Sequence, residues 1–460
     1  MQQQPRLPLW FFLTNLGLIL VAFILGDLLA RWRQPDYPQP QAQAFELVYA
    51  EILRSHVDPQ DGKALLDRAL AAMAHVDEYS AYIPPRHLAD YEESSTGQYE
   101  GIGIVQMQHG EEMVVHFPFA GGPAERAGIL PGDRLLEVDG KSIAGLPLAE
   151  RATLLRDLVR GPANTEVRLR MRRGTEELDI AVRRGGVQRP AVKWAHLSDP
   201  EHGIGYVHLS DFHRGVADGL REAIRQLKAA GELRGLVLDL RHNRGGSLDE
   251  CIAIARLFVR QGIIVSTRRR GEVIDAVQAD ATQCTHPDLP LAVLVNGDSA
   301  SASEVLAGCL QDHRRARILG TRTFGKGFVN TVYTWGDLPF RLKLTTAHYY
   351  TPNGRNIERR RKPAGKAAPA PATPEPPEGG ILPDDLVELP AEVGAQIEAR
   401  LAQQEPPPHH RRAVAALAAE LGFEAAQPPS ATSDPQLAAA LNHLRAATPA
   451  GATPVGDMPK

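Results

Sequence analysis

Cysteine is scarce in this chain: Cys251, Cys284 and Cys309 are its three in 460 residues. Thiols so few and so scattered exclude a disulfide framework and a cysteine-built zinc site. The count is odd, so at least one thiol is free or pairs between chains. An excess of charge of one sign is also lacking. The 51 lysines and arginines face 55 aspartates and glutamates, a formal net charge of -4 that carries no nucleic-acid signature. There is no internal repeat, and long apolar runs are missing except at the N-terminus.

What is present bounds the rest. A chain of 460 residues allows two or three domains, each with its own core. Its 23% charged and 43% apolar content is that of globular protein. The one long apolar run is "LPLWFFLTNLGLILVAFILGDLLA", Leu7 to Ala30, with Asp27 as its single charge. As a helix rising about 1.5 Å per residue it reaches roughly 36 Å, enough for a tilted membrane crossing. Its length, and the want of an A-x-A site after it, weigh against a cleaved signal peptide. The proline-rich "QPDYPQPQAQ" that follows reads as a tether over 31–43. Flanking charge alone leans against export, since Arg6 precedes the run while Arg31 and Arg33 follow it.

Beyond the tether, Ala44 to Met73 has apolar residues at helical spacing, broken near "SHVDPQDG". This predicts a short helical pair within a helical region over 44–96, ended by the prolines of "DEYSAYIPP". From about Gln98 the period changes. "YEGIGIVQM", "EMVVHFPF", "DRLLEVDG", "EVRLRMRR" and "ELDIAVRR" predict short strands, with one helix over Leu148 to Leu158 among them. Together they make a β-rich module over 97–185. From Gly203 strands ("IGYVHLS", "LRGLVLDLR", "PLAVLVNG", "RARILG") alternate with helices over Ala217–Ala230, Leu248–Val259 and Ala302–Gln311. That alternation predicts an α/β core over 187–390, its sheet covered on at least one face. A low-complexity insertion over 362–379 interrupts it, and alanine-rich helical pieces over 391–460 follow, broken at "EPPPHH". The fold class is therefore α/β in the broad sense, an α+β multidomain chain.

Three turns carry chemistry. "VLDLRHNRGGSLDE" is a buried strand, a glycine-rich turn and a helix start, so its backbone N–H groups suit an oxyanion, with Arg241 and Asn243 placed to brace them. Alone, it is equally a plain connection. "LAVLVNGDSASASEVLAGCL" repeats strand, turn and helix, with serines at 299, 301 and 303. Helix capping accounts for them locally, because Ser301 and Glu304 have S-x-x-E spacing. Yet the same turn puts a hydroxyl at a strand's C-terminal edge, where open α/β sheets build sites. "GDSAS" misses the G-x-S-x-G elbow, with Ser301 at the second glycine, and neither His313 nor His348 has a supporting pattern. The elbow reading fails. Downstream, "RTFGKGFVN" sets Lys326 between Gly325 and Gly327. To act as a base this lysine must fall from about 10.4 to about 7–8 by desolvation. Phe324, Phe328 and Val329 supply an apolar setting, and the glycines allow close approach to the serine turn. A P-loop is excluded because no Ser or Thr follows the lysine.

Within the β-rich module, "FAGGPAERAGILPGDRLLEVDGKSI" and the earlier "GIGI" closely resemble a PDZ domain. In that fold loop N–H groups hold a peptide's terminal carboxylate while the peptide adds as a strand. The resemblance assigns this to Tyr99, Gly101, Ile102, Gly103 and Ile104. In sequence order, "DEYSAYI", "GQYEGIGI", "DLRHNRGG", "SASASE", "TFGKG", "LTTAHYYTPNGRNI", "GILPDD" and "DPQLAAALNHL" resemble the C-terminal processing peptidases, or tail-specific proteases, from Ala44 to Arg445. The resemblance implies a Ser-Lys protease core: Ser301 as nucleophile, Lys326 as base, and Gly245 or Gly246 with Ala302 as oxyanion donors. Asn330 stands where the family usually has a glutamine that orients the lysine, and Arg244 where proline is common. It further implies no metal or organic cofactor, and protein substrates with apolar C-terminal tails. The N-terminal transmembrane helix would hold the catalytic part on the exported, periplasmic side of the inner membrane, overruling the flanking charges. A homo-oligomer or an adaptor protein is left open. Two rivals were weighed. A PDZ-type trypsin-like protease needs G-N-S-G-G, and "HNRGG" has arginine at the serine position. A catalytically silent tail-binding scaffold is suggested by Asn330.

Overall fold

The computed structural model describes residues 39–143, 147–359, 379–424 and 427–448. The apolar run over 7–30, the tether up to residue 38 and most of the 362–379 insertion lie outside them. Among the described residues no helix is long and apolar enough to cross a membrane. The chain divides into two units, Met1–Tyr82 and Ile83–Lys460.

In the first unit, helix α1 (Gln39–Ser55) begins inside the expected tether. Its "QAQA" residues are good helix formers, and Pro40 sits in the first turn, where a missing N–H costs nothing. Helix α2 (Gly62–Ala74) is capped by Asp61, whose side chain accepts from the Lys63 N–H at 2.9 Å. The Tyr49 hydroxyl donates to the Gly62 carbonyl at 3.0 Å and ties the pair together.

The second unit opens with α3 (Leu88–Thr96) and the β-rich module. "YEGIGIVQM", expected as one strand, is two: β1 (Gln98–Gly101) and β2 (Ile104–His109). Gly103 breaks it with φ 76, and Ile102 turns fully into the module's core. The remaining elements are β3 (Glu112–Pro118), α4 (Pro123–Arg126), β4 (Arg134–Val138), α5 (Leu148–Val159), β5 (Glu166–Arg173) and β6 (Glu176–Arg183). They form a sheet in the order β2-β3-β4-β5-β6. β1 does not join it. It pairs antiparallel with β7 (Gly185–Gln188), Gln98 opposite Gln188 and Gly101 opposite Gly185, so the module's entry and exit are zipped together. The module therefore ends three residues later than its sequence pattern suggested.

The α/β region runs β8 (Val192–Asp199), β9 (Ile204–Leu209), α6 (Val216–Ala230), β10 (Gly235–Asp239), α7 (Leu248–Phe258), β11 (Ile263–Arg269) and β12 (Glu272–Gln278). It continues with β13 (Leu291–Val295), α8 (Ala302–Asp312), β14 (Arg317–Gly320), β15 (Phe328–Tyr333), β16 (Arg341–Tyr350) and β17 (Asp385–Leu386). The main sheet has the order β8-β9-β10-β13-β14-β17, parallel except for β8 against β9. Both faces are covered. Leu236 and Leu238 of β10 pack with α6, α7 and α8, while Val237 between them packs against a C-terminal helix. This is why the strand reads as unbroken apolar sequence. After α9 (Ala391–Ala402) and α10 (Arg411–Leu421), that C-terminal helix is α11 (Pro435–Ala447). Its Leu437, Ala440, Leu441 and Leu444 make the apolar stripe that closes the second face. A separate antiparallel set, β12-β11-β16-β15, lay unread in the sequence, as did β8.

A buried ion cluster fixes α11 to the end of β10. The Arg241 guanidinium, 1% exposed, donates to Asp239 at 2.6 Å, to Asp434 at 2.7 Å and to Gln436 at 3.1 Å. Tyr206 donates its hydroxyl to Asp239 at 2.7 Å. Burial raises the Asp239 carboxyl, but Arg241 and its other donors outweigh that and hold it below the usual carboxylate range. Asp434 also caps α11, accepting from the Gln436 and Leu437 N–H groups at 3.1 Å. Removing Asp434 leaves a buried guanidinium short of a partner. Asp434→Ala should therefore lower stability by about 3–5 kcal/mol in urea unfolding. A loss below about 1 kcal/mol would mean that the cluster does not hold the helix.

Candidate active site

Two strand-to-helix turns lie side by side at the C-terminal ends of β10 and β13, which are neighbours in the sheet. Asn243 organises the first. Its side-chain amide donates to the Leu209 carbonyl at 2.9 Å, and its Oδ1 accepts from the Gly245 N–H at 2.9 Å. Its own carbonyl accepts from the Ala300 N–H at 3.0 Å and the Ser303 hydroxyl at 2.8 Å, which stitches the first turn to the second. A side chain at Gly245 would start 2.8 Å from Ser301 Cβ and 2.9 Å from the Ala302 nitrogen, so only glycine fits this approach. Of the two expected oxyanion donors in this turn, the Gly245 N–H is already held by Asn243.

The three serines separate. Ser299 is fully buried; its hydroxyl donates to the Leu240 carbonyl at 2.8 Å and accepts from the Asn296 N–H at 2.9 Å. Ser303, equally buried, is committed to Asn243. Ser301 is half-buried and carries φ 57, ψ -115, a backbone state costing a non-glycine residue on the order of 1–3 kcal/mol. Strain of this kind marks the serine of a nucleophile turn. The G-x-S-x-G frame had centred on Ser299, two residues before the strained position.

Glu304 holds the site together. It is fully buried in the first turn of α8. Its Oε2 accepts from the Ser301 N–H and the Lys326 N–H, each at 2.8 Å. Its Oε1 accepts from the Gly325 N–H and the Thr323 hydroxyl, each at 2.6 Å. Burial pushes the Glu304 carboxyl up, against the pull of all four donors. Because one oxygen serves both, the Ser301 and Lys326 nitrogens are no further apart than twice 2.8 Å. Sequence reading saw Glu304 as half of a capping box; the second duty was hidden because its partners lie beyond β14.

Burial lowers the Lys326 pKa, and the Lys343 ammonium lowers it further, with Glu304 and Glu358 opposing. The flanking glycines serve a neighbour other than the serine turn. A side chain at Gly325 would start 2.4 Å from Arg359 Cβ, and one at Gly327 would start 2.3 Å from the Glu358 nitrogen. The far end of the insertion returns to the same place: the Gly380 N–H donates to the Ile357 carbonyl at 2.7 Å, and the Ile381 N–H to the Thr323 hydroxyl at 2.7 Å. The Asn330 amide nitrogen donates to the Thr345 hydroxyl at 3.1 Å, across β15 and β16. The side chain is one methylene shorter than glutamine, and an irregularity between Val329 and Asn330 re-aims it.

The expected tail-reading residues also divide. Tyr99 and Gly101 belong to the β1–β7 ladder, and Arg160 stacks 4.7 Å over the Tyr99 ring. Ile102 is core, its carbonyl accepting from the Ala124 N–H at 2.8 Å. The Gly103 carbonyl accepts from the Phe119 N–H at 3.0 Å. Ile104 begins β2, which among the described residues pairs with β3 alone and so presents one open edge. β2 thus has an open edge, while Tyr99–Gly101 is paired with β7.

Residues 203–364 match peptidase family S41, and residues 120–173 match a PDZ domain. A carboxy-terminal-processing protease of Bartonella bacilliformis is 38% identical over 328 residues, 69% of this chain and 73% of that protein. A CtpA-like serine protease of Staphylococcus aureus is 34% identical over 322 residues, 69% of this chain and 63% of its own length. A solved photosystem II D1 C-terminal processing protease is 29% identical, covering 75% of this chain and 86% of that one, with a TM-score of 0.42. With 38% identity across 73% of the Bartonella protein, the chain belongs to peptidase family S41: it is a serine-type peptidase with a PDZ domain ahead of its core.

Proposed function

We propose that this chain is a carboxy-terminal-processing endopeptidase working through a Ser301–Lys326 dyad. The observation that carries the proposal is the single Glu304 oxygen that binds both backbones. Neutral Lys326 takes the Ser301 proton as the hydroxyl oxygen attacks the scissile carbonyl. The Gly246 and Ala302 N–H groups receive the oxyanion, and the new ammonium returns its proton to the leaving amine. Water, deprotonated in turn by Lys326, releases the acyl group. A lysine with its ordinary pKa of about 10.4 would be neutral in only about 0.04% of molecules at pH 7, so the downward shift is what the chemistry requires.

Ser301→Ala and Lys326→Ala should each lower kcat/KM on a tail-bearing peptide by roughly a thousandfold or more, with unchanged circular dichroism. The wild-type rate should climb with pH as Lys326 loses its proton. Lys343→Gln removes a like charge that disfavours the ammonium, so it should raise the Lys326 pKa and move that limb to higher pH. A limb that stays in place in Lys343→Gln, or full activity in Ser301→Ala, would refute the dyad.

Substrate proteins would dock an apolar C-terminal tail along the β2 edge, with its carboxylate at the turn around Gly103. Strand addition supplies main-chain hydrogen bonds, and the terminal carboxylate supplies the end point. Amidating the tail should weaken binding clearly in fluorescence anisotropy; equal affinity for amide and free acid would exclude terminus reading. The long apolar run over 7–30, with one charge near its end, supports a single-pass anchor in the inner membrane, with the peptidase on the exported side. A reporter fused after Tyr37 should then be active outside the cytoplasm, and activity confined to the cytoplasm would reverse the topology.

A further inference from the structure

Glu125, in the short helix α4 of the PDZ domain, meets two adjacent histidines from the other end of the chain. Its Oε1 lies 2.6 Å from His409 Nε2 and 2.9 Å from His410 Nε2. One ligand atom from each of the three residues falls within 4.8 Å of the others. Consecutive side chains ordinarily diverge. Here the prolines of "EPPPHH" and the single 3₁₀ turn Pro408–His410 keep the two rings 4.2 Å apart, both turned to one point. Two imidazole nitrogens and a carboxylate oxygen are the three-ligand set of zinc, with a fourth position left for water.

The surroundings fit as well. The second carboxylate oxygen accepts from the Gly121 N–H at 2.6 Å, the kind of outer hydrogen bond that orients a ligating carboxylate. His410 is buried and His409 is exposed, so one side of the set is preformed and the other open to solvent. The seam is already made without an ion: Phe423 packs edge-on against His116 at 5.9 Å, and Leu417 lies against Gly132. α4 is also bonded to the tail-reading loop through Ala124 and Ile102.

We propose that Glu125, His409 and His410 bind a divalent metal of the zinc class and thereby clamp the PDZ domain to the C-terminal helical region. The untagged full chain, stripped with chelator, should bind one Co²⁺ with the visible absorption of a four-coordinate site, displaced by Zn²⁺. Zn²⁺ should raise its unfolding temperature and slow amide exchange in α4 and around His409. Glu125→Gln and His409→Ala should each weaken Zn²⁺ binding by more than the roughly 10–100-fold lost with an outer-shell partner. Glu125→Gln keeps an acceptor for the histidines, so it separates ligation from simple hydrogen bonding; His409 is exposed, so its loss should leave the fold intact. No Co²⁺ absorption, or Zn²⁺ affinity unchanged in both variants, would overturn the proposal.

Discussion

Everything at the active site hangs on the buried carboxylate of Glu304. Ser301 and Lys326 come from different turns, with a helix and a strand between them, and neither side chain could find the other by local structure. One acceptor-only group with room for several donors solves this, since each N–H it binds is fixed relative to the rest. The arrangement also supports the strained backbone of Ser301, because the N–H of the strained residue is itself one of the four donors.

The same carboxylate creates an electrostatic tension. Negative charge beside Lys326 favours the ammonium, as does Glu358, whereas the proposed proton abstraction needs the amine. Burial and the Lys343 charge push the other way and prevail. Glu304 also accepts from three backbone N–H groups and a hydroxyl, which disperses part of its charge into the turn.

The parts of the fold that a sequence pattern reaches are those set by local period. The parallel strands, the helices between them and the β-rich module were legible because burial on both faces, or alternation, leaves an unmistakable signature, whereas α11 was legible through the family motif. The antiparallel set β12-β11-β16-β15 was not, because its strands are largely half-exposed and charged. In the site, Ser301 and Lys326 were legible only through the family's ordered motifs; locally, capping explained the serines and solvent explained the lysine. The roles of Glu304, of Gly325 and Gly327 against Glu358 and Arg359, and of Asn330 toward Thr345 are all long-range contacts. No window of sequence contains both partners. The division of the tail-reading residues between β1 and β2 was hidden for the same reason, since it depends on β7 almost ninety residues away.

Gly379 and Gly380 come back against Glu358 and Ile357, so the insertion between residues 359 and 379 leaves and re-enters at a closed stem. The lysine turn is braced from both arms of that stem: Gly327 donates to Glu358 and Gly325 accepts from Arg359 on one arm, while Ile381 donates to Thr323 on the other. Two separate stretches of chain therefore grip one short turn, and loosening either arm leaves the other to keep the lysine's backbone in register.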